Sequence, residues 1–374
     1  MAKVAASFRL NERMFQRLYS YAEVRNLHLE PSAKCQAACP MCGRNVAGGR
    51  PRANLPLNEV TLAEFVAWFS PAFLRQLSTL TFCGNFGDPI IAQDCLPMLE
   101  HARRMNRRLH LNLITNGSAR PASFWSDLGA LGAHAHFALD GATEETHRRY
   151  RRHTRFGTIL QNAATFMGAG GRATWDMLVF SHNEHEVETA RTMARQMGFE
   201  RFVLKSTTRF NGPDHRVLDD DGREVDRLHP SERFPAPALA ARPDRQALAS
   251  CPIRCKVIPE GSVYVAATGH VFPCCWLGAI LHEKPGLPDS RKSSAVHQSF
   301  HELVGRVGED RLNLRETPLA VIIERYLPHF TRAWGPGPER LMKCAQICGQ
   351  VGIDAFTSTY LSTDQFRPSG NPAA

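Results

Sequence analysis

Lys34-Cys35-Gln36-Ala37-Ala38-Cys39-Pro40-Met41-Cys42-Gly43 follows a short apolar segment and carries three cysteines in a Cys-x3-Cys-x2-Cys spacing. Three thiolates on one short loop can each hold one iron of a [4Fe–4S] cube, which leaves the fourth iron open to a ligand that is not protein. An open coordination position means chemistry rather than plain electron storage. A structural zinc site competes for the same thiolates, but zinc needs a fourth ligand to close its tetrahedron, and of the nearby residues only His28 could reach. With 11 cysteines in 374 residues, two more at fixed offsets from a given cysteine arise by chance in roughly 1% of such chains.

Working outward, residues 25–30 read as a short strand ending at the cysteine loop. From there apolar strands alternate with helical patterns to about residue 207, the arrangement of a parallel α/β sheet or barrel. Strands are expected at 27–30, 80–83, 109–115, 136–140, 174–180 and 202–205, and helices at 62–69, 96–106, 158–167 and 184–197. Functional loops then sit at the C-terminal ends of the strands.

The triplet resembles the signature of the radical S-adenosylmethionine (SAM) superfamily, and the six βα units are similar to that family's partial (β/α)6 barrel. The resemblance implies that the open iron chelates the amino and carboxylate groups of SAM. One electron then splits SAM into methionine and a 5′-deoxyadenosyl radical, which abstracts a substrate hydrogen; the protein positions and insulates these groups. Phe82-Cys83-Gly84-Asn85-Phe86-Gly87-Asp88-Pro89 looks like the family's Gly-Gly-Glu-Pro segment, with Asp88 where glutamate is usual. By the same resemblance Gly84, Asn85, Gly87 and Asp88 contact SAM, as do Asn116 of Thr115-Asn116-Gly117 and Asp140 of Leu139-Asp140-Gly141. Read alone, these segments are ordinary turns. Ala138 stands where a serine often offers its hydroxyl to the ribose. Arg151 falls where an arginine can meet the methionine carboxylate, and Met41 replaces the more usual aromatic beside adenine. No catalytic side chain is assigned.

A second cysteine set, Cys251, Cys255, Cys274 and Cys275, is followed far downstream by Cys344 and Cys348. The stretch Cys255-x13-Gly269-x4-Cys274 resembles the opening of the auxiliary-cluster domains called SPASM and twitch, with hairpin strands at 262–266 and 270–272. The count suits the twitch version with one further [4Fe–4S] cluster, held by Cys255, Cys274, Cys344 and Cys348. Cys251 and Cys275 are alternative ligands, and a zinc ribbon is the competing reading. Cys83 and Cys95 read as small apolar packing residues.

The expected division is an N-terminal extension 1–24, the partial barrel 25–210, a linker 211–250 rich in Pro, Asp, Arg and Ala, the twitch/SPASM-like domain 251–360, and a disordered tail 361–374. No stretch of 18 or more uncharged apolar residues occurs, and the N-terminus lacks an apolar signal core. A cytoplasmic protein with no membrane partner is expected. The odd cysteine count in a long chain points to metal or redox work rather than disulfides.

Net charge is +9, from 45 Lys plus Arg against 36 Asp plus Glu, with a basic maximum at His147-Arg148-Arg149-Tyr150-Arg151-Arg152-His153-Thr154-Arg155. The plain reading of that run is a solvated helix face. Aromatic residues do not interleave with it as a single-strand nucleic-acid platform requires, so nucleic acid is disfavoured as a partner. The family's substrates leave two enzymatic readings: oxidative modification of a peptide by crosslink, thioether or related bond, whose acidic leader the basic face could receive, or dehydrogenation of a small-molecule alcohol or sugar. Both imply an electron donor such as flavodoxin or ferredoxin. A non-catalytic zinc or nucleic-acid-binding protein is the reading from outside enzymology.

Overall fold

The computed structural model describes residues 18–210, 212–236, 245–284, 295–350 and 360–366. Its centre is a run of six strands, β1 (Asn26–Leu29), β2 (Thr79–Phe82), β3 (His110–Thr115), β4 (His134–Ala138), β5 (Arg172–Leu178) and β6 (Arg201–Lys205). Each pairs in parallel with the next. Parallel neighbours need crossovers, and the intervening helices Leu62–Trp68, Cys95–Met105, Ala122–Ala130, Phe156–Gly168 and Val187–Gln196 supply them.

One face of the sheet is apolar: Leu27 and Leu29, Leu80 and Phe82, Leu111 and Leu113, and Trp175 and Met177 are buried in the main core. Helix Phe156–Gly168 meets it with Ile159, Ala163 and Phe166 at helical spacing. The alternate residues, such as His28, Asn112, His136 and Asp176, point the other way, and they are polar. Parallel strands covered on both faces by helices read as unbroken apolar runs; alternation here means that the inner face lines a cavity. Strands β4, β5 and β6 start one or two residues earlier than the apolar pattern predicts, at His134, Arg172 and Arg201. Backbone pairing continues beneath these polar side chains.

The sheet is larger than six strands. Hairpin β9 (Ser262–Val265) and β10 (Val271–Phe272), two of the expected elements, joins β1 through a parallel β1–β9 pairing. Gly269 turns that hairpin at φ +88°, and a Cβ there would lie 2.6 Å from Asn313 Oδ1. At the other edge β11 (Tyr360–Gln365) pairs antiparallel with β6, giving the order β10-β9-β1-β2-β3-β4-β5-β6-β11. This corrects the expected tail 361–374: its first residues are an edge strand, while 367–374 lie outside the described residues. Residues 1–17 of the N-terminal extension also lie outside them.

The expected linker 211–250 is corrected in the same way. It holds an antiparallel hairpin, β7 (His215–Leu218) and β8 (Glu224–Leu228), and a helix, Arg245–Ser250. Asp219-Asp220-Asp221-Gly222 forms the hairpin turn, with Gly222 N–H donating to Asp219 O at 3.1 Å. Val217 and Leu228 pack with Met41, Tyr150 and Phe180, so the hairpin covers the cysteine loop. No helix among the described residues is long and apolar enough to cross a membrane.

Candidate active site

The C-terminal ends of β1 to β6 open on one cavity of about 480 Å³. Cys35, Cys39 and Cys42 from the loop after β1 and Lys205 to Arg209 after β6 share its wall. A sheet whose first and last parallel strands reach the same cavity must curve around it.

The cysteine loop is fastened by its backbone. Cys42 N–H donates to Cys39 O at 3.0 Å, Ala38 N–H to Arg152 O at 3.0 Å, and Asp88 N–H to Lys34 O at 2.9 Å. Two side chains approach the sulfurs: Asn116 Nδ2 lies 3.6 Å from Cys35 Sγ, and an Arg151 guanidinium nitrogen 3.8 Å from Cys39 Sγ. Burial raises the Cys35 thiol, and pushes Cys39 up to about 11 against the pull of Arg151. Iron binding must therefore displace these protons, as for any thiolate ligand.

The glycine segment after β2 is tied to β1 by Glu30, whose Oε1 accepts from the N–H groups of Phe86 and Gly87 at 2.9 and 3.0 Å. Burial raises the Glu30 carboxyl. Gly84 and Gly87 are required by packing as much as by any ligand: a Cβ on Gly84 would lie 2.4 Å from Gly87 O, and one on Gly87 1.7 Å from Ser32 O. Asp88 is fully engaged, accepting from Thr115 Oγ1 and Asn116 N–H at 2.7 Å each and from Ile90 N–H at 3.2 Å. Asn85 donates to Tyr264 Oη at 3.0 Å and Cys275 O at 2.9 Å, joining the segment to β9.

Gly84, Asn85, Gly87, Asp88, Asn116 and Arg151 all stand in the cavity wall. Two expected SAM contacts do not. Asp140 is fully buried behind Arg151, with Oδ2 2.5 Å from Arg151 Nε and Oδ1 accepting from Leu178 N–H at 2.6 Å. Burial pushes its carboxyl up, the guanidinium opposes this, and Arg151 is held cationic. Met41 is packed in the small core under β7 and β8. The basic run divides: Arg148, Arg149, His153 and Arg155 stay exposed, Arg149 pairing with Asp226 at 2.9 Å, while the half-buried Arg152 donates to Gly48 O at 2.8 Å and to Leu218 O at 2.5 Å.

Several wall residues carried no signal in the sequence. Lys205 Nζ lies 2.6 Å from Asp176 Oδ2, which is 3.4 Å from His136 Nδ1, and Lys205 sits 4.9 Å from the Tyr360 ring centroid. These partners come from β4, β5, β6 and β11, and no local spacing joins them. Cys83, expected to pack as an apolar residue, lines the cavity; Cys95 is buried in the core as expected.

The second cysteine set resolves into three places. Cys255, Cys274, Cys344 and Cys348 line one small cavity with Trp276 and Trp334. The Cys255 thiol is raised first by its hydrogen bond with Cys348 and then by burial. Cys251 lies apart, 3.5 Å from an Arg340 guanidinium nitrogen, and Cys275 is raised to about 12 by burial and by its neighbours Cys83 and Glu30. Trp276 stands in the walls of both the small cavity and the large one. Among the described residues no three His, Cys, Asp or Glu side chains are grouped as ligands of one metal ion. The donor chemistry of each set, three or four thiols around one cavity, suits ligation of separate irons of a cube.

Residues 29–195 match the model of the Radical SAM superfamily. This segment, which carries the triplet and most of the cavity wall, is a radical SAM domain. Domains of this family are those of enzymes, which is consistent with an oxidoreductase-type activity for this one. Similar solved structures include Streptococcus suis SuiB bound to S-adenosylmethionine, at 12% identity over 82% of this chain and 75% of that one, with a TM-score of 0.48. Others are anSMEcpe with bound AdoMet (14% identity, 67% of this chain, 72% of that one, TM-score 0.46) and BtrN in complex with AdoMet and 2-DOIA (11%, 89%, 95%, TM-score 0.43). Likeness at this level bears on neither substrate nor site. No curated protein matches the chain.

Proposed function

We propose that the chain holds one [4Fe–4S] cluster on Cys35, Cys39 and Cys42 beside SAM, and a second on Cys255, Cys274, Cys344 and Cys348 in a twitch/SPASM-like unit spanning about 251–360. The observation that carries this reading is the pair of thiol-lined cavities that share Trp276 as a wall. When bound, the first cluster and SAM supply one-electron cleavage and a hydrogen-abstracting radical, and the second cluster supplies an electron sink.

The chain's own residues hold and insulate these groups. Asn116 and Arg151 approach the Cys35 and Cys39 sulfurs, and Asp140 keeps Arg151 charged. Ala138, Tyr150 and Leu178 give the cavity an apolar wall against water. Asp176, ionised beside Lys205, presents Oδ1 as a buried hydrogen-bond acceptor without a partner. A flavodoxin- or ferredoxin-type donor provides the electron.

Oxidative modification of a peptide is the substrate class we favour. A cavity of about 480 Å³ is of single-ligand size, so beside SAM it leaves room for one reacting side chain while the rest of the substrate stays outside. Dehydrogenation of a small alcohol or sugar is supported by one observation, the open Oδ1 of Asp176, which a hydroxyl could occupy.

The test is anaerobic reconstitution with an iron count and a dithionite-driven SAM cleavage assay, in wild type and in Cys35/Cys39/Cys42→Ala. About eight irons per chain and 5′-deoxyadenosine, falling to about four irons and none, support the reading. Zinc in place of iron, with no SAM cleavage, overturns it. A mass change of a peptide encoded by a neighbouring gene would separate peptide from small-molecule chemistry.

A further inference from the structure

Four successive parallel strands begin on a basic residue: β3 on His110, β4 on His134, β5 on Arg172 and β6 on Arg201. The register keeps them along one end of the sheet, with His134 opposite Arg172 and Arg201 opposite Thr174. The connection into β3 adds Arg103 and Arg108, and together they line a second concavity, about 570 Å³, at the end of the strands away from the cysteines. Arg104 and Arg107 stand in a shallower depression that shares Arg103 and Gly132 with it.

Charge in this concavity is poorly balanced. Among the described residues no carboxylate lines it, and the nearest, Glu200, is already held by Arg172 through two bonds of 2.8 Å and lies 3.6 Å from Arg201. Two buried donors of its lining residues have no hydrogen-bond partner, Nε of Arg103 and Nε of Arg201; the unpartnered Oδ1 of Asn112 is an acceptor and is not met by an anion. Arg103 is fixed by its own side chain, which donates to the carbonyls of Arg107 and Leu109 at 2.8 Å each. Burial lowers its pKa, the direction expected of a cation lacking a counter-charge.

Buried donors left unpaired are costly, and the Nε atoms of Arg103 and Arg201 are two of them. A single oxyanion answers both, since the guanidinium fork matches the geometry of phosphate and carboxylate. We propose that this end of the sheet is a binding site for a small oxyanion carrying a phosphate or carboxylate group, separate from the cysteine cavity. A single concavity lined by several guanidiniums fits one such group, where a nucleic-acid backbone would need a stripe. The site adjoins the active cavity through His136, which lines it and lies 3.4 Å from Asp176.

The experiment is calorimetric titration of the full chain with inorganic phosphate, pyrophosphate and citrate at fixed ionic strength. Saturable binding of at least one is expected, with preference for the phosphates or for citrate identifying the source of the oxyanion. Arg103→Gln and Arg201→Gln each weaken it about tenfold. Glu200→Gln, which frees Arg172, tightens it. Arg223→Gln, in the exposed β7–β8 turn, leaves it unchanged. The imidazole proton signals of His134 shift with the bound anion and not with added sodium chloride, a readout in wild type that survives misfolding of any variant. No saturable binding of any of the three anions, or equal weakening in Arg223→Gln, overturns the proposal.

Discussion

Asp176 Oδ2 lies 2.6 Å from Lys205 Nζ, an ion pair between β5 and β6 at the wall of the active cavity. Burial pushes the Asp176 carboxyl up, but the hydrogen bond from His136 and the Lys205 ammonium outweigh it, and its pKa falls below the ordinary aspartate value. A carboxylate depressed on folding contributes stability above its unfolded pKa and loses it as pH falls through the folded one. Asp176→Asn is therefore expected to destabilise the chain at pH 7, on the order of 2 kcal/mol. The gap to wild type narrows as pH drops below about 4. Urea unfolding across pH checks this; a gap independent of pH would contradict it.

Arg151 and Asp140 form a more deeply buried pair, with the Asp140 side chain fully inaccessible and Arg151 19% exposed. Removing one partner of such a pair leaves the other as an unpaired buried charge, at a cost of about 3–5 kcal/mol. Arg151→Met alone is expected to cost that much. Asp140→Asn/Arg151→Met is expected to cost less than the sum of the single changes, which a double-mutant cycle measures. Arg151→Lys is expected to weaken SAM binding as well, because one ammonium cannot reach both Asp140 and the Cys39 sulfur as the fork does.

Gly87 makes a prediction that separates packing from ligand contact. A Cβ there would stand 1.7 Å from the Ser32 carbonyl oxygen, so the cysteine loop must shift. Gly87→Ala is expected to lower both SAM affinity, about tenfold or more, and iron retention. Gly157, on helix Phe156–Gly168, has nothing within 4 Å of its Cβ position. Gly157→Ala is expected to raise stability by about 0.4–1 kcal/mol and leave SAM binding alone. Equal SAM affinity in wild type and Gly87→Ala would refute the first expectation.

These contrasts show where the sequence was legible. Leu80, Phe82, Leu111 and Leu113 announced their strands because one face of each strand is packed against helices, and Cys35, Cys39 and Cys42 stood out because their spacing is local. Gly269 was visible for a like reason, since a turn demands a positive φ at a fixed place. Lys205, Asp176 and Tyr360 were silent because they meet only through strand pairing across the sheet. Tyr360–Gln365 has the composition of a loop and becomes a strand because the β6 edge offers it a ladder. Arg149 is as exposed as the solvated-face reading has it, whereas Arg152 is half-buried because its partner Leu218 arrives from a hairpin whose sequence looked like linker.

The cysteines of the second set divide by position, and that division predicts their chemistry. Cys348 shares its cavity with Cys255, Cys274 and Cys344, whereas Cys251 packs against Leu248 and Ala345 with Arg340 at its sulfur. Cys348→Ser is expected to drop the iron count by up to about four per chain, because a hard hydroxyl replaces one of four soft thiolates. Cys251→Ser keeps the full count and changes stability alone, through the buried sulfur that Arg340 faces. Cys275→Ser also keeps it, since Cys275 is turned toward Cys83 and Glu30. Anaerobic iron and sulfide analysis of the three variants, with the visible spectrum of each, decides between the sets. If Cys251→Ser or Cys275→Ser lost the second cluster and Cys348→Ser kept it, the ligand set would have to be redrawn around the outlying thiols.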